Sequence, residues 1–375
     1  MSKTGYKRLG DYIREVDVRN RDLEVKELLG VSVSKEFIPS IANTIGTDMS
    51  SYKVVKFRQF VYIEDTSRRG DKIAIALLQD FKEAIVSSIY TVFEVKNQQE
   101  LLPEYLMMWF RRPEFDRYAR FKSHGSAREI FGWEEMCDVI LPIPPIEQQR
   151  KIVAEYETIS KRIRLNEQMI THLEETAQTL YRKMFVDGID KENLPEGWRM
   201  GTIGGFCQET KSGGTPSRTH SEYWRSKDYR WLKTGEVQNN IILDTEEYIS
   251  AEGLKKSSAK MLPSGTITMA MYGATAGQIA YLECGTTTNQ ACCNMICKNK
   301  VDAAYLYFHL RYYQNEIKRL ANGGAQENLS QGVISQQPIY ILDDNKCILP
   351  FVILLNLMIV KTKENIELTK LRSLL

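Results

Sequence analysis

Residues 146–185 run IEQQRKIVAEYETISKRIRLNEQMITHLEETAQTLYRKMF, a stretch with neither glycine nor proline. Pro144 and Pro145 just before it stop a strand and favour the start of a helix, because proline lacks the N–H that a strand ladder needs. Apolar residues then recur at heptad spacing. Tyr156, Ile163, Ile170, Ala177 and Met184 form one seam position, and Ile152, Ile159, Leu173 and Leu180 the other, with Asn166 as the single polar member. The pattern predicts a helix over 146–185, about 60 Å long. Such a helix cannot bury its seam alone and needs a partner. The candidate within this chain is the stretch from Phe351 to Leu375. It carries Val352, Leu355, Ile359 and Ile366 in one row and Leu354, Leu357, Leu368 and Leu371 in a second. A coiled coil with another protein is the alternative. For Asn166 two readings stand, a register-fixing residue or a solvated one.

Working outward, the chain repeats itself. Leu9-Gly10-Asp11-Tyr12 returns as Ile203-Gly204-Gly205-Phe206, at an offset of 194. Tyr105-Leu106 returns as Tyr305-Leu306, at 200, and Gly125, Ala127 and Glu129 return as Gly323, Ala325 and Glu327, at 198. Shared order and near-constant offset point to duplication. Each half begins with short β-prone runs, in the first half for example 53–57 and 84–90. A helical stretch follows (103–122; 303–321), then a glycine-containing loop, a short apolar strand (139–143; 339–342) and a long helix. Equivalent places in the repeat would make the two long helices antiparallel. Asp190 to Pro195 reads as a polar linker, and Pro195-Glu196-Gly197-Trp198 opens the second half.

At 375 residues the chain has room for two domains with proper cores. Its formal net charge of +2 excludes a grip on nucleic acid through bulk charge and leaves local basic patches as the route. The seven cysteines are odd in number and irregularly spaced. No CxxC pair or nearby histidine completes a zinc pattern around Cys292, Cys293 and Cys297, so reduced thiols and no metal are expected. The N-terminus lacks the apolar core of a signal peptide, and the apolar run 351–360, interrupted by Asn356, falls short of the ~18 residues of a membrane span. A soluble, cytoplasmic protein is expected.

Catalytic signatures are missing from the sequence. There is no GxxxxGK[ST] phosphate loop, no GxGxxG after a strand, and no Asn/Asp-Pro-Pro-aromatic motif of adenine methyltransferases. His124, His172, His220 and His309 are scattered, and no nucleophile–base pair suggests itself.

The order domain–helix–domain–helix resembles that of the specificity subunits of type I restriction–modification enzymes. Leu141 to Val153 (LPIPPIEQQRKIV) resembles that family's entry into its central conserved helix, and Leu194-Pro195-Glu196-Gly197-Trp198 the start of its second recognition domain. Ser212-Gly213-Gly214-Thr215-Pro216-Ser217, Tyr223-Trp224 and Thr288-Asn289-Gln290 are similar to recurrent pieces of such domains. The resemblance covers essentially the whole chain and implies an α+β fold. Two globular α/β target-recognition domains in a pseudo-two-fold repeat would be separated by two long antiparallel coiled-coil helices. The implied boundaries are 1–145, 146–189, 190–345 and 346–375. The second helix is shorter than the first.

The resemblance further implies a non-catalytic subunit that binds a split double-stranded DNA target, one half per domain. Methyltransferase subunits, two of them, would dock on the helices and carry S-adenosylmethionine. Restriction–translocase subunits would bring ATP and Mg; the chain itself holds no cofactor. A coiled-coil scaffold without DNA readout is the alternative. Loops with small and basic residues are the candidate DNA contacts, since hydroxyls and Arg/Lys satisfy phosphates while Arg, Lys, Asn and Gln read base edges. In the first half these are Arg68, Arg69 and Lys72, in place of a GGTPS loop, with Ser126 and Arg128. Ion pairing of Arg68 and Arg69 with Asp65 and Asp71 on a solvated turn is the other reading. In the second half they are Lys211, Ser217, Arg218, Thr219, Lys233, Tyr272 and Gln290, with Gly213 and Gly214 allowing close backbone approach. Arg111, Arg112, Arg117 and Arg120 read as the charged outer face of a helix.

Overall fold

The computed structural model describes residues 5–40, 46–65, 72–123, 129–321 and 328–375. The chain divides into two compact units, Met1–Thr158 and Ile159–Leu374, with the division falling inside the long helix.

In the first unit, strand Tyr6–Arg8 pairs antiparallel with Ile140–Pro142 and closes the domain on itself. Between them lies an antiparallel sheet in the order Ile13–Val16, Thr91–Val95, Phe60–Tyr62, Ile75–Leu77. Strand side chains alternate, so Phe60, Tyr62 and Phe93 enter a core beneath Leu106, Met107 and Phe110, whereas Val61 and Val92 enter a second core on the other face. The predicted helix over 103–122 is two helices, Pro103–Phe110 and Pro113–Lys122. Pro113 starts the second, and Arg112 before it is extended (φ −74°, ψ 140°), as a residue preceding proline prefers.

The second unit is built the same way. Strand Trp198–Thr202 pairs with Pro338–Leu342. Its sheet runs Glu209–Ser212, Cys292–Ile296, Thr266–Ala270, Ile279–Leu282, with Asn240–Ile242 added in parallel as a fifth strand. The repeat extends to single hydrogen bonds. Leu9 N–H donates to the Val139 carbonyl (2.8 Å), and Ile203 N–H to that of Gln337 (2.9 Å). Tyr105 donates its hydroxyl to the Pro142 carbonyl, and Tyr305 to that of Tyr340, both at 3.2 Å. The Tyr-Leu pair visible in the sequence is thus a brace between helix and closing strand.

The long helix spans Ile146–Phe185, as its composition predicts. In the first unit its start is fixed by the fully buried Gln149. That amide donates to the Glu100 and Pro144 carbonyls (both 2.8 Å) and accepts from Leu102 N–H (2.9 Å). In the second unit, residues 159–185 pack antiparallel to the C-terminal helix Leu349–Arg372. Phe351 touches the rings of Tyr181 and Phe185, while Glu364 pairs with Arg162 at 2.6 Å. Asn166 is buried and bonded to Asn365 (2.9 Å), not solvated.

The heptad reading drifts toward the helix end. Leu180 and Met184 are only partly buried, and the positions beside them, Tyr181 and Phe185, are enclosed instead. Ile170 to Tyr181 is eleven residues, about three turns of an undistorted helix, so the buried stripe follows the helix and not the strict heptad. In the C-terminal helix Phe351, Leu355, Met358 and Ile359 are buried; Leu357 and Leu371 of the expected second row are exposed. Leu349, Ile353, Leu357 and Val360 form an uncovered apolar stripe. By length and composition alone the segment Asn345–Arg372 suffices to cross a membrane, which the 351–360 run does not suggest. Its buried side chains belong to the core of the second unit.

Candidate nucleic-acid interface

In the second unit several loops converge beyond the strand ends. Gly214 N–H donates to the Thr288 carbonyl (2.8 Å), and Trp231 Nε1–H donates to the Gly214 carbonyl (2.9 Å). The Thr215 hydroxyl bonds to Gln290, and Thr275 reaches the Thr234 carbonyl at 2.9 Å. The GGTPS segment is therefore an anchored element and not a simple surface turn. Its glycines serve this anchoring. A Cβ on Gly213 would stand 2.2 Å from Thr288 Oγ1 and the Asn289 carbonyl, and one on Gly214 2.3 Å from Ser258. The close approach that these glycines allow is made by the protein's own chain at Thr288, Asn289 and Ser258.

Among the candidates, Ser217 and Thr219 bond to each other (2.8 Å), and Tyr272 is exposed at a bridge to Asn328. Lys211 lies on strand Glu209–Ser212, not in a loop, and pairs with Glu209 at 2.9 Å. Lys233 pairs with Glu246 (2.8 Å) and Glu247 (3.2 Å), and the Glu246 bond chiefly raises its pKa. Arg218 pairs with the same Glu247 at 2.6 Å, which is the main reason that carboxyl is held below its usual range. Thus Arg218, Lys233, Ser217 and Thr219 form one cluster, Thr215, Gln290 and Tyr272 neighbour it through the loop contacts, and Lys211 stands apart.

In the first unit, Lys72 is exposed, while Arg68, Arg69, Ser126 and Arg128 lie outside the described residues, as does Asp71. Their flanks are placed. Asp65 bridges to Ile130 as Tyr272 bridges to Asn328, and Phe131 N–H donates to the Glu64 carbonyl as Leu329 N–H does to Met271, both at 2.9 Å. The flanks Glu64–Asp65 thus match Met271–Tyr272, and not the flanks of the GGTPS loop. Strand Ile13–Val16 corresponds to Glu209–Ser212, so the counterpart of GGTPS is the segment after Val16, with Arg19 held by Asp17 (2.7 Å) and the Ser51 carbonyl (2.8 Å). Arg19 and the Gly273–Thr275 turn stand at these matching places and are not among the candidates taken from the sequence. Carrying the repeat through every loop, not only through its best matches, would have found both. Arg112 and Arg117 pair with Glu114, and Arg120 with Glu129, as expected of a charged outer face.

The cysteines are all unbridged. Cys207, Cys292 and Cys293 are buried, and burial raises the thiols of Cys292 and Cys293 to about 12. Cys137, Cys284, Cys297 and Cys347 are half-buried. Among the described residues no group of His, Cys, Asp and Glu could hold a metal.

The family model for the type I restriction modification DNA specificity domain matches twice, over residues 34–175 and 195–348. The HindI specificity subunit of Haemophilus influenzae is 23% identical over 89% of this chain and 88% of its own length. The MjaIX specificity subunit of Methanocaldococcus jannaschii is 28% identical over 40% of this chain and 35% of its own. Among solved structures, a type I restriction–modification S subunit from M. genitalium superposes with a TM-score of 0.59 at 14% identity, covering 99% of this chain and 95% of the other.

Proposed function

The chain belongs to the type I restriction–modification DNA specificity family, and from that premise we propose that it reads a bipartite double-stranded target, one half-site per unit, separated by an unread spacer. The observation that carries this reading is the duplicated loop frame. Asp65–Ile130 and Tyr272–Asn328 are the same bridge in the two units, so loops at matching places flank each sheet. The reading surface of the second unit comprises Ser217, Arg218, Thr219, Lys233, Tyr272 and Gln290, with Lys211 at its margin. That of the first comprises Lys72 with Arg68, Arg69, Ser126 and Arg128, to which Arg19 is added.

The helices serve assembly. The stripe of Leu349, Ile353, Leu357 and Val360 is an apolar surface of the kind that marks an interaction site. We assign it, with the outer face of the long helix, to the docking of methyltransferase subunits. Methylation, ATP use and cleavage then belong to partner subunits acting in the cytoplasm. The division into 1–145, 146–189, 190–345 and 346–375 follows from this partition of labour between readers and helices.

The test is methylation mapping of DNA modified by this chain with its methyltransferase subunits. A split recognition sequence is expected. Replacing residues 190–342 with the second domain of another family member should change one half of it only. Loss of selectivity in both halves, or no selectivity at all, overturns the reading.

A further inference from the structure

Arg218 is held by more contacts than any other described cation on the proposed reading surface. Its guanidinium carbon lies 3.5 Å from the ring centre of Trp224 and 5.0 Å from that of Trp231. The two indoles meet edge to face at 4.9 Å. One edge of the guanidinium donates through Nη1 to Glu247 at 2.6 Å. The backbone at its base is pinned as well, because Trp224 Nε1–H donates to the Ser217 carbonyl (3.2 Å). The side chain nevertheless remains about half exposed, at 53%.

A flexible cation that only neutralises phosphate does not need this much support. A planar fork fixed in orientation is what bidentate recognition of a base edge requires. The surrounding charge points the same way. Lys233 joins Arg218 on Glu247, but Glu246 and Glu236 flank them, the latter accepting from the backbone N–H groups of Lys233 and Glu246 (3.1 and 2.9 Å). Three carboxylates against two cations make a poor cradle for a polyanionic backbone. A guanine edge, which offers the neutral acceptors O6 and N7, meets no such repulsion.

We propose that Arg218 is a specificity-determining residue that reads one guanine in the half-site of the second unit, with Trp224 and Glu247 as positioning residues. The proposal rests on the DNA-reading function above and adds the base and the residue that recognises it. Arg218→Ala removes the fork. Arg218→Lys keeps the charge but cannot form the bidentate pair, and it guards against an effect of misfolding. The measurement is selection from a randomised duplex library by the full chain assembled with its methyltransferase subunits, repeated at several salt concentrations.

Wild type should select guanine at one position of the second half-site. Both variants should relax that position by about 10- to 100-fold and leave every other position unchanged. Glu247→Gln should weaken the same preference more mildly. An unchanged sequence profile in both variants overturns the proposal while leaving the DNA-reading function standing. So does a uniform loss of affinity in Arg218→Ala with a salt dependence reduced by about one charge, the signature of a phosphate contact. Absence of any selected sequence in wild type removes the underlying function and the proposal with it.

Discussion

Asn166 donates its side-chain amide to Asn365 at 2.9 Å, and Asn365 donates in turn to the Ile163 carbonyl at 3.2 Å. A polar pair in an otherwise apolar seam is satisfied in one register only. Replacing Asn166 by Leu should therefore destabilise the chain by about 1–3 kcal/mol, because Asn365 Oδ1 loses its donor in a partly buried site. The double replacement Asn166→Leu with Asn365→Leu should recover most of that loss. Urea unfolding of the four members of the cycle measures the coupling; additive effects would mean that the pair does not act as a unit.

On the proposed bipartite reading, the same pairing predicts how the spacer of the DNA target can be changed. Removing residues 167–173 alone would shift Ala177 and Tyr181 out of contact with the C-terminal helix. Removing 167–173 together with 358–364 shortens both strands of the pair by one heptad. Methylation mapping should then report a shorter spacer with both half-site sequences retained. Changed half-sites with an unchanged spacer would refute a ruler role.

Gly213→Ala and Gly214→Ala each place a Cβ within 2.4 Å of the chain's own backbone. The anchored loop must move to relieve this, by more than side-chain rotation can supply. Each variant should lose selectivity in the second half-site, with the first half-site read as before. Loss in both would indicate that the damage is global.

Acid should weaken the second unit through His309. The ring is enclosed, its Nδ1 lies 2.6 Å from the Tyr181 hydroxyl, and burial lowers its pKa to about 3, against the opposing effect of a bond to the Pro338 carbonyl. The unfolded chain takes up a proton near pH 6.5 and the folded chain does not. Stability is therefore full above about 6.5 and falls as the pH drops toward 3, by up to about 1.4 kcal/mol per unit. Chemical unfolding at pH 7.5, 6.5 and 5.5 should show this slope in wild type and a shallower one in His309→Gln. Equal slopes would refute the assignment.

How far the structure can be read from the sequence differs between its parts for physical reasons. The long helix is legible because its apolar residues follow one period and two prolines mark its start. Its end is less so, because Tyr181 and Phe185 follow the pitch of a real helix over eleven residues. Strands such as Thr266–Ala270 and Cys292–Ile296 are buried on both faces and show no alternation to detect. The Lys233–Glu247–Arg218 network is illegible in one dimension, since a shared carboxylate reveals itself only when three separate segments fold together. Gly213 and Gly214 were recognisable as required residues, but whether their neighbour is nucleic acid or Thr288 is not encoded locally.

The stripe of Leu349, Ile353, Leu357 and Val360 has a consequence for how the chain lives in a cell. Before its partners arrive, this surface attracts any other exposed apolar surface, including a second copy of itself. On the proposed docking, synthesis in excess of partner subunits is expected to favour association through this stripe. The ratio in which the subunits are made, and the order in which they meet, would then be as much a condition of function as the sequence of the loops proposed to read DNA.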